Sequence, residues 1–226
     1  SFDDQYLGCS RMMRAKLKEL NRTEFSNSVY AEGWRNAVME WQKRWGRAAH
    51  PPVLRPEQAT AVLAYTAERD LYHEFNAAVR EGGRSREHYL RSFPFKTLHF
   101  LLSEALRALR EAQGPGCRRV YRGVRGIRFT ARHRQSVRFG QFTSCSLRKN
   151  VAQSFGKDTF FLVDTCYGVP IKDFSFYPGE DEVLIPPFET FEVTNFTRGR
   201  GGTVLQLRSQ AARSTYNCEF VKGKGC

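Results

Sequence analysis

The sequence contains no run of about eighteen uninterrupted apolar residues, so no membrane-spanning helix is expected in it. Its first residues, Ser1-Phe2-Asp3-Asp4, have neither the basic nor the apolar segment of a leader peptide, and the chain reads as a mature soluble ectodomain. It has no C-x-x-C pair, which removes the usual zinc spacing, and no metal site is expected. A G-x-G-x-x-G or Walker-type segment is missing too, so neither a Rossmann fold nor a P-loop supplies a dinucleotide site and hydride transfer is disfavoured. There is no G-x-S-x-G elbow, and His50, His73, His88, His99 and His133 lie scattered, which argues against a serine hydrolase. Neither an EF-hand ladder nor an internal repeat is present.

What is there begins with six cysteines, Cys9, Cys117, Cys145, Cys166, Cys218 and Cys226, spread widely along 226 residues. Disulfides are the expected use, and with them an oxidising compartment. Spacing leaves the pairing open, although Cys9 with Cys218 would clip the two chain ends together. The sequons Asn21-Arg22-Thr23 and Asn195-Phe196-Thr197 agree with secretion. The formal net charge of +13 favours polyanionic partners. Outside a cell those are anionic surface glycans rather than nucleic acid.

Apolar residues make up 41% of the chain, enough for a sizeable core. Trp34, Val38, Trp41 and Trp45 recur with helical spacing and are expected in that core. Beyond Pro51-Pro52 and Pro56, helices are expected over Glu57 to Tyr65, Leu71 to Arg80 and Lys96 to Glu111, the last burying Leu98, Leu101, Leu102, Ala105 and Leu109. After Gly114-Pro115-Gly116 the texture turns to strands: Arg119 to Arg122, Ser136 to Phe142, Thr159 to Thr165, Glu182 to Ile185, Phe191 to Phe196 and Thr203 to Leu207. One helix, Leu147 to Phe155, interrupts them. The expectation is a single α+β domain over 1–226, helix-rich to about 113 and strand-rich from about 117.

Three segments of the strand-rich half concentrate polar residues: Tyr121-Arg122-Gly123, Phe142-Thr143-Ser144-Cys145-Ser146, and Pro178-Gly179-Glu180-Asp181-Glu182-Val183. Glu180 and Glu182 stand at i and i+2 where a Pro-Gly turn enters an apolar strand, so both are expected on one side of the sheet. Two carboxylates in one cleft suit glycosyl transfer, where one stabilises an oxocarbenium-like centre and the other handles the nucleophile. A glycoside hydrolase fits that pair as well. Arg122, whose planar fork matches phosphate, points instead to a phosphorylated donor such as NAD, consumed as a substrate rather than held as a prosthetic group. Gly123 is expected to let a ligand approach the main chain closely.

Taken in order, the three segments resemble the arginine-serine-glutamate signature of the vertebrate ecto-ADP-ribosyltransferases, a branch of the ADP-ribosylating toxin superfamily. The likeness extends to Ser1-Phe2-Asp3-Asp4-Gln5-Tyr6, Glu74-Phe75-Asn76-Ala77-Ala78-Val79-Arg80, Phe95-Lys96-Thr97-Leu98-His99-Phe100, Val183-Leu184-Ile185-Pro186-Pro187 and Ser214-Thr215-Tyr216-Asn217-Cys218. The resemblance implies a helical half packed on a β-sandwich core and arginine-specific mono-ADP-ribosyl transfer from NAD to acceptor proteins. It implies that Arg122 anchors phosphate, Gly123 meets the nicotinamide amide through its backbone, Ser144 orients the ribose and Glu182, and Glu182 stabilises the oxocarbenium. Glu180 would serve the arginine acceptor, Tyr65 and Ser175 would line the NAD site, and Phe155 would stack on nicotinamide, although a phenylalanine ending an amphipathic helix is more often core. It also implies the pairs Cys9–Cys218 and Cys117–Cys166, leaves Cys145 and Cys226 unexplained, and places the chain outside the cell, secreted or GPI-anchored, as a monomer. Cys145 replaces the usual threonine between two serines and should point away from the site. An NAD glycohydrolase, or an inactive binding module with eight arginines between Arg118 and Arg138, are the alternatives.

Overall fold

The structure, a computed structural model, describes residues 1–48, 53–67 and 69–222. His50, Pro51, Pro52 and Cys226 lie outside the described residues. Six helices come first: α1 (Ser10–Glu24), α2 (Ser28–Trp45), α3 (Pro56–Ala67), α4 (Arg69–Gly82), α5 (Arg86–Ser92) and α6 (Lys96–Gln113). The strand-rich half then runs β1 (Arg118–Val124), β2 (Ser136–Val137), β3 (Thr143–Ser146), α7 (Lys149–Ser154), β4 (Thr159–Thr165), β5 (Val169–Pro170), β6 (Glu182–Ile185), β7 (Glu189–Gly199) and β8 (Gly202–Ala212). This is the expected α+β order.

The helices form where the sequence supplies caps and stripes. Asn27 accepts hydrogen bonds from the Val29 and Tyr30 amides at the start of α2, and Ser85 does the same for His88 at α5. Leu98, Leu101, Leu102, Ala105 and Leu109 of α6 are all buried, as expected. The tryptophan stripe is only partly core: Trp34 is buried, while Val38, Trp41 and Trp45 pack half-buried against the helical cluster. α1 and α5 have no counterpart among the predicted elements. The stretch expected as one strand from Ser136 to Phe142 ends after Val137, and Gly140 turns the chain at φ +77° before β3.

One eight-stranded sheet follows the order β2-β7-β8-β4-β1-β3-β6-β5, with only β4 and β8 parallel. Strand alternation sorts its side chains into two cores. Leu184 and Phe142 face the helices, whereas Val183 and Ile185 join Val120, Phe161, Phe191, Val193, Leu205 and Leu207 in a core built wholly from strand residues. That second core lies on the face of the sheet opposite the one that meets the helices.

The chain ends are sewn together. Cys9 is bonded to Cys218 and Cys117 to Cys166, the two pairs the resemblance implied. Asp3 and Asp4 are fully buried. Asp3 accepts from the Thr215 and Tyr216 amides and from Arg138, and Asp4 from the amides of Tyr6, Cys218 and Glu219. These bonds repay much of the cost of burying two carboxylates. Burial still raises the Asp4 carboxyl above its ordinary range, with the amides of Glu219, Cys218 and Tyr6 opposing it.

Candidate active site

The three signature segments fall on neighbouring strands β1, β3 and β6. Their register puts Tyr121 opposite Ser146 and Ser146 opposite Glu182, while Ser144 lies opposite Leu184. Directly opposed residues share a face, so Ser144, Ser146 and Glu182 stand together. Cys145, one position out of phase, drops into the strand-only core. It is a free cysteine, and burial pushes its thiol up to about 12, so it stays protonated.

Above these strands opens a cavity of about 660 Å³, within the range of small-molecule sites. Arg122, Gly123, Ser144, Glu180 and Glu182 line it, together with Tyr65 from α3 and Phe155 after α7. Ser175 is placed differently: it is fully buried behind Glu182, its hydroxyl 3.4 Å from Oε2, and does not line the cavity. Phe155 departs from the core reading, being 56% exposed at the cavity rim, one residue past the end of α7.

Glu182 begins β6 and is 6% exposed. Burial pushes its carboxyl up to about 7; the Ser144 hydroxyl, Ser175 and Arg122 pull the other way, and the nearby Glu180 adds to the rise. Arg122 donates through Nη1 to the Ser144 carbonyl at 2.7 Å, which ties β1 to β3 at the cavity floor. The Tyr65 hydroxyl donates to the Phe142 carbonyl at 3.1 Å and accepts from Asn76 Nδ2 at 3.1 Å. Both bonds lock the ring in place.

Glu180 reaches the same cavity by another route. It closes a 3₁₀ turn, Pro178–Glu180, and Asp181 then adopts a left-handed conformation at φ +44° before the strand begins. The shared side of Glu180 and Glu182 is therefore the work of that turn, not of strand alternation. The turn is clamped: Ser146 Oγ donates to the Glu180 carbonyl at 2.6 Å, the Leu147 amide to the Asp181 carbonyl, and Lys172 Nζ sits 2.9 Å from Asp181 Oδ1. Arg148 adds a donor to the Gly179 carbonyl at 3.4 Å. Partial burial raises the Glu180 carboxyl above its ordinary range.

The structure supplies a reason for Gly123 beyond ligand approach. A Cβ there would lie 2.1 Å from the Ala152 carbonyl oxygen and 2.3 Å from that of Gly156. Main chain of α7 thus rests directly on main chain of β1, which carries Phe155 to the rim.

Sequence reasoning passed over other groups at the site. Tyr72, His73 and Tyr177 also line the cavity, although His73 read as one of several scattered histidines. Arg44, at the end of α2, donates through Nη1 to the Ser175 carbonyl at 2.8 Å and props the segment behind Glu182. Nothing in local spacing marks Arg44, because its partner lies 131 residues away. Among the described residues no group of His, Cys, Asp or Glu is arranged to hold a metal ion.

A family model described as NAD:arginine ADP-ribosyltransferase matches residues 1–215. The chain belongs to that family. It is 66% identical over 226 residues to the erythroblast NAD(P)(+)--arginine ADP-ribosyltransferase of Gallus gallus, covering 100% of this chain and 75% of that protein. It is 54% identical over 241 residues to the GPI-linked NAD(P)(+)--arginine ADP-ribosyltransferase 1 of Homo sapiens, covering 100% of this chain and 74% of that protein. Among solved structures, a mutant of the eukaryotic mono-ADP-ribosyltransferase ART2.2 in complex with NAD matches with a TM-score of 0.82 at 36% identity, over 96% of this chain and 95% of that one. The protein is thus an NAD+–protein-arginine ADP-ribosyltransferase, the activity expected from the signature. The α+β fold is likewise the expected one.

Proposed function

We propose that the cavity binds NAD with Arg122 on its phosphates, Gly123 on the nicotinamide amide through its backbone, and Phe155 against the nicotinamide ring. Ser144 orients the adjoining ribose. Glu182, ionised, accepts a hydrogen bond from the ribose 2′-hydroxyl and stabilises the cation that forms as the bond from ribose C1′ to nicotinamide breaks. The bonding electrons leave with nicotinamide. A guanidinium nitrogen of the acceptor protein then bonds to C1′, and Glu180 takes the proton it sheds, since a guanidinium is protonated and a poor nucleophile until a carboxylate orients it. Tyr65, on the cavity wall, and Ser175, from behind Glu182, act as positioning residues.

The observation that carries this reading is the pair of carboxylates on one cavity with different surroundings: Glu182 buried under two serine hydroxyls, Glu180 on a clamped turn. Incubation with labelled NAD and agmatine tests it, with ADP-ribosyl-agmatine and free nicotinamide both scored. Glu182→Gln is expected to lose about 10²–10³-fold in both products, and undiminished release of nicotinamide would overturn its role.

We infer further that residues 1–226 work as one catalytic unit outside the cell. Support comes from the disulfides and from a relative named GPI-linked. Of the two sequons, Asn195 is exposed on β7 and suits glycan attachment. Asn21 lies within α1, its side-chain oxygen accepting from the Tyr30 hydroxyl at 2.5 Å.

A further inference from the structure

The net charge of +13 is not spread evenly once the chain is folded. Of the arginines between Arg118 and Arg138, Arg119 is paired with Asp164, Arg138 with buried Asp3, and Arg122 belongs to the cavity. A different set collects at one end of the sheet. The last residue of β1 faces the first of β4, Val124 opposite Thr159, and β4 begins beside β8, Thr159 opposite Thr203. The β7–β8 hairpin turns at the same end, Gly199 opposite Gly202. Four adjacent strands therefore finish on one rim, about 14 Å long at the usual strand spacing.

That rim carries Arg125, Arg128, Lys157, Arg198 and Arg200, all exposed. Main-chain contacts hold them together: Arg125 against Gly156, Lys157 against Gly202, and Arg128 Nη2 on the Arg200 carbonyl at 3.5 Å. None of the five forms an ion pair among the described residues. The carboxylate at this end, Asp158, is engaged by the Gly126 amide at 2.7 Å, and no ion pair among the described residues links it to any of the five. Arg125 also lines the NAD cavity, so the rim begins where the cavity ends.

We propose that this rim is a docking surface for a sulfated glycan chain. Four of the five cations are arginines, whose planar forks bind oxyanions through two parallel hydrogen bonds. A row of such forks along strand ends matches a linear polyanion with repeated sulfates better than a single phosphate. The disulfides place the chain in an oxidising compartment, where glycans rather than nucleic acids carry such charge. Docking there holds the catalytic cavity beside cell-surface protein. This goes beyond the catalytic reading and rests on the extracellular part of it alone.

The test compares the parent with a rim triple, Arg128→Gln, Arg198→Gln and Arg200→Gln, and a charge-matched control triple on α1, Arg11→Gln, Lys16→Gln and Lys18→Gln. Binding to a heparin oligosaccharide is measured as a function of salt. The rim triple is expected to bind roughly tenfold more weakly with a shallower salt slope, and the control triple about twofold or less. Equal losses in the two triples would overturn the proposal, leaving only diffuse net charge. So would parent binding to duplex DNA or phosphatidylserine vesicles that is as tight as to heparin and equally dependent on the rim. Turnover of NAD with agmatine, measured in parallel, is expected to be unchanged in the rim triple, and its absence in the parent would count against the catalytic reading without touching the glycan result.

Discussion

Glu180 and Glu182 are two residues apart and belong to regions built on opposite plans. Glu182 sits on a wall of three hydrogen-bonded strands, nearly dry, with its neighbours' hydroxyls turned onto it. Glu180 sits on a turn held from outside by ion pairs and backbone bonds, and stays partly open to solvent. A dry wall suits a group that must meet charge developing at a fixed atom, because weak screening strengthens the interaction. An open turn suits a group that must meet a macromolecule arriving from solution. The difference teaches that two carboxylates spaced two residues apart can be given separate surroundings, here by one left-handed residue, Asp181.

The comparison breaks most directly at Glu180. Glu180→Gln is expected to lower transfer to agmatine by about 10²-fold while nicotinamide release in water falls less than tenfold, and equal losses would erase the division of labour. Gly123→Ala strikes the strand wall without touching a carboxylate. The added Cβ must push α7 off β1, costing about 1–3 kcal/mol and lowering kcat/KM for NAD by roughly tenfold through displacement of the rim. A thermal melt and initial rates check both, and a variant with unchanged stability would refute the main-chain packing.

The smallest effect sharpens the comparison through pH. The folded protein holds the Glu182 proton up to about 7, against an ordinary 4.5. Between those values the unfolded chain has released a proton that the fold retains, so this group costs stability as pH rises through the window. Glu182→Gln does not titrate. Its melting temperature relative to the parent is expected to rise by a few degrees between pH 5 and pH 8, while kcat/KM of the parent increases with pH through about 7. The same comparison at Glu180 should yield a smaller shift.

Much of this was legible beforehand. β4 and β6 run over the expected residues because each is a dense block of β-branched and aromatic side chains bounded by turns. α1 escaped because Met13, Leu17 and Leu20, though correctly spaced, stand among lysines and arginines that dilute the stripe. The candidate site residues come from resemblance, and composition alone reaches only a pair of carboxylates near an arginine. What no local pattern carries is support from a neighbouring element: Arg44 behind Ser175, Asn76 on Tyr65, and the Lys172–Asp181 pair. Phe155 was ambiguous for a related reason, since burial depends on where a helix stops relative to the sheet.

The stitching of the chain ends bears on how the molecule is made. Asp3, Asp4 and Cys9 each find partners among residues 215–219, and the disulfide spans 209 positions. Contacts of such separation form late and slow folding. A ribosome must therefore deliver the chain past residue 219 before these bonds can close, and until then Cys9 stays open to oxidation with the wrong cysteine.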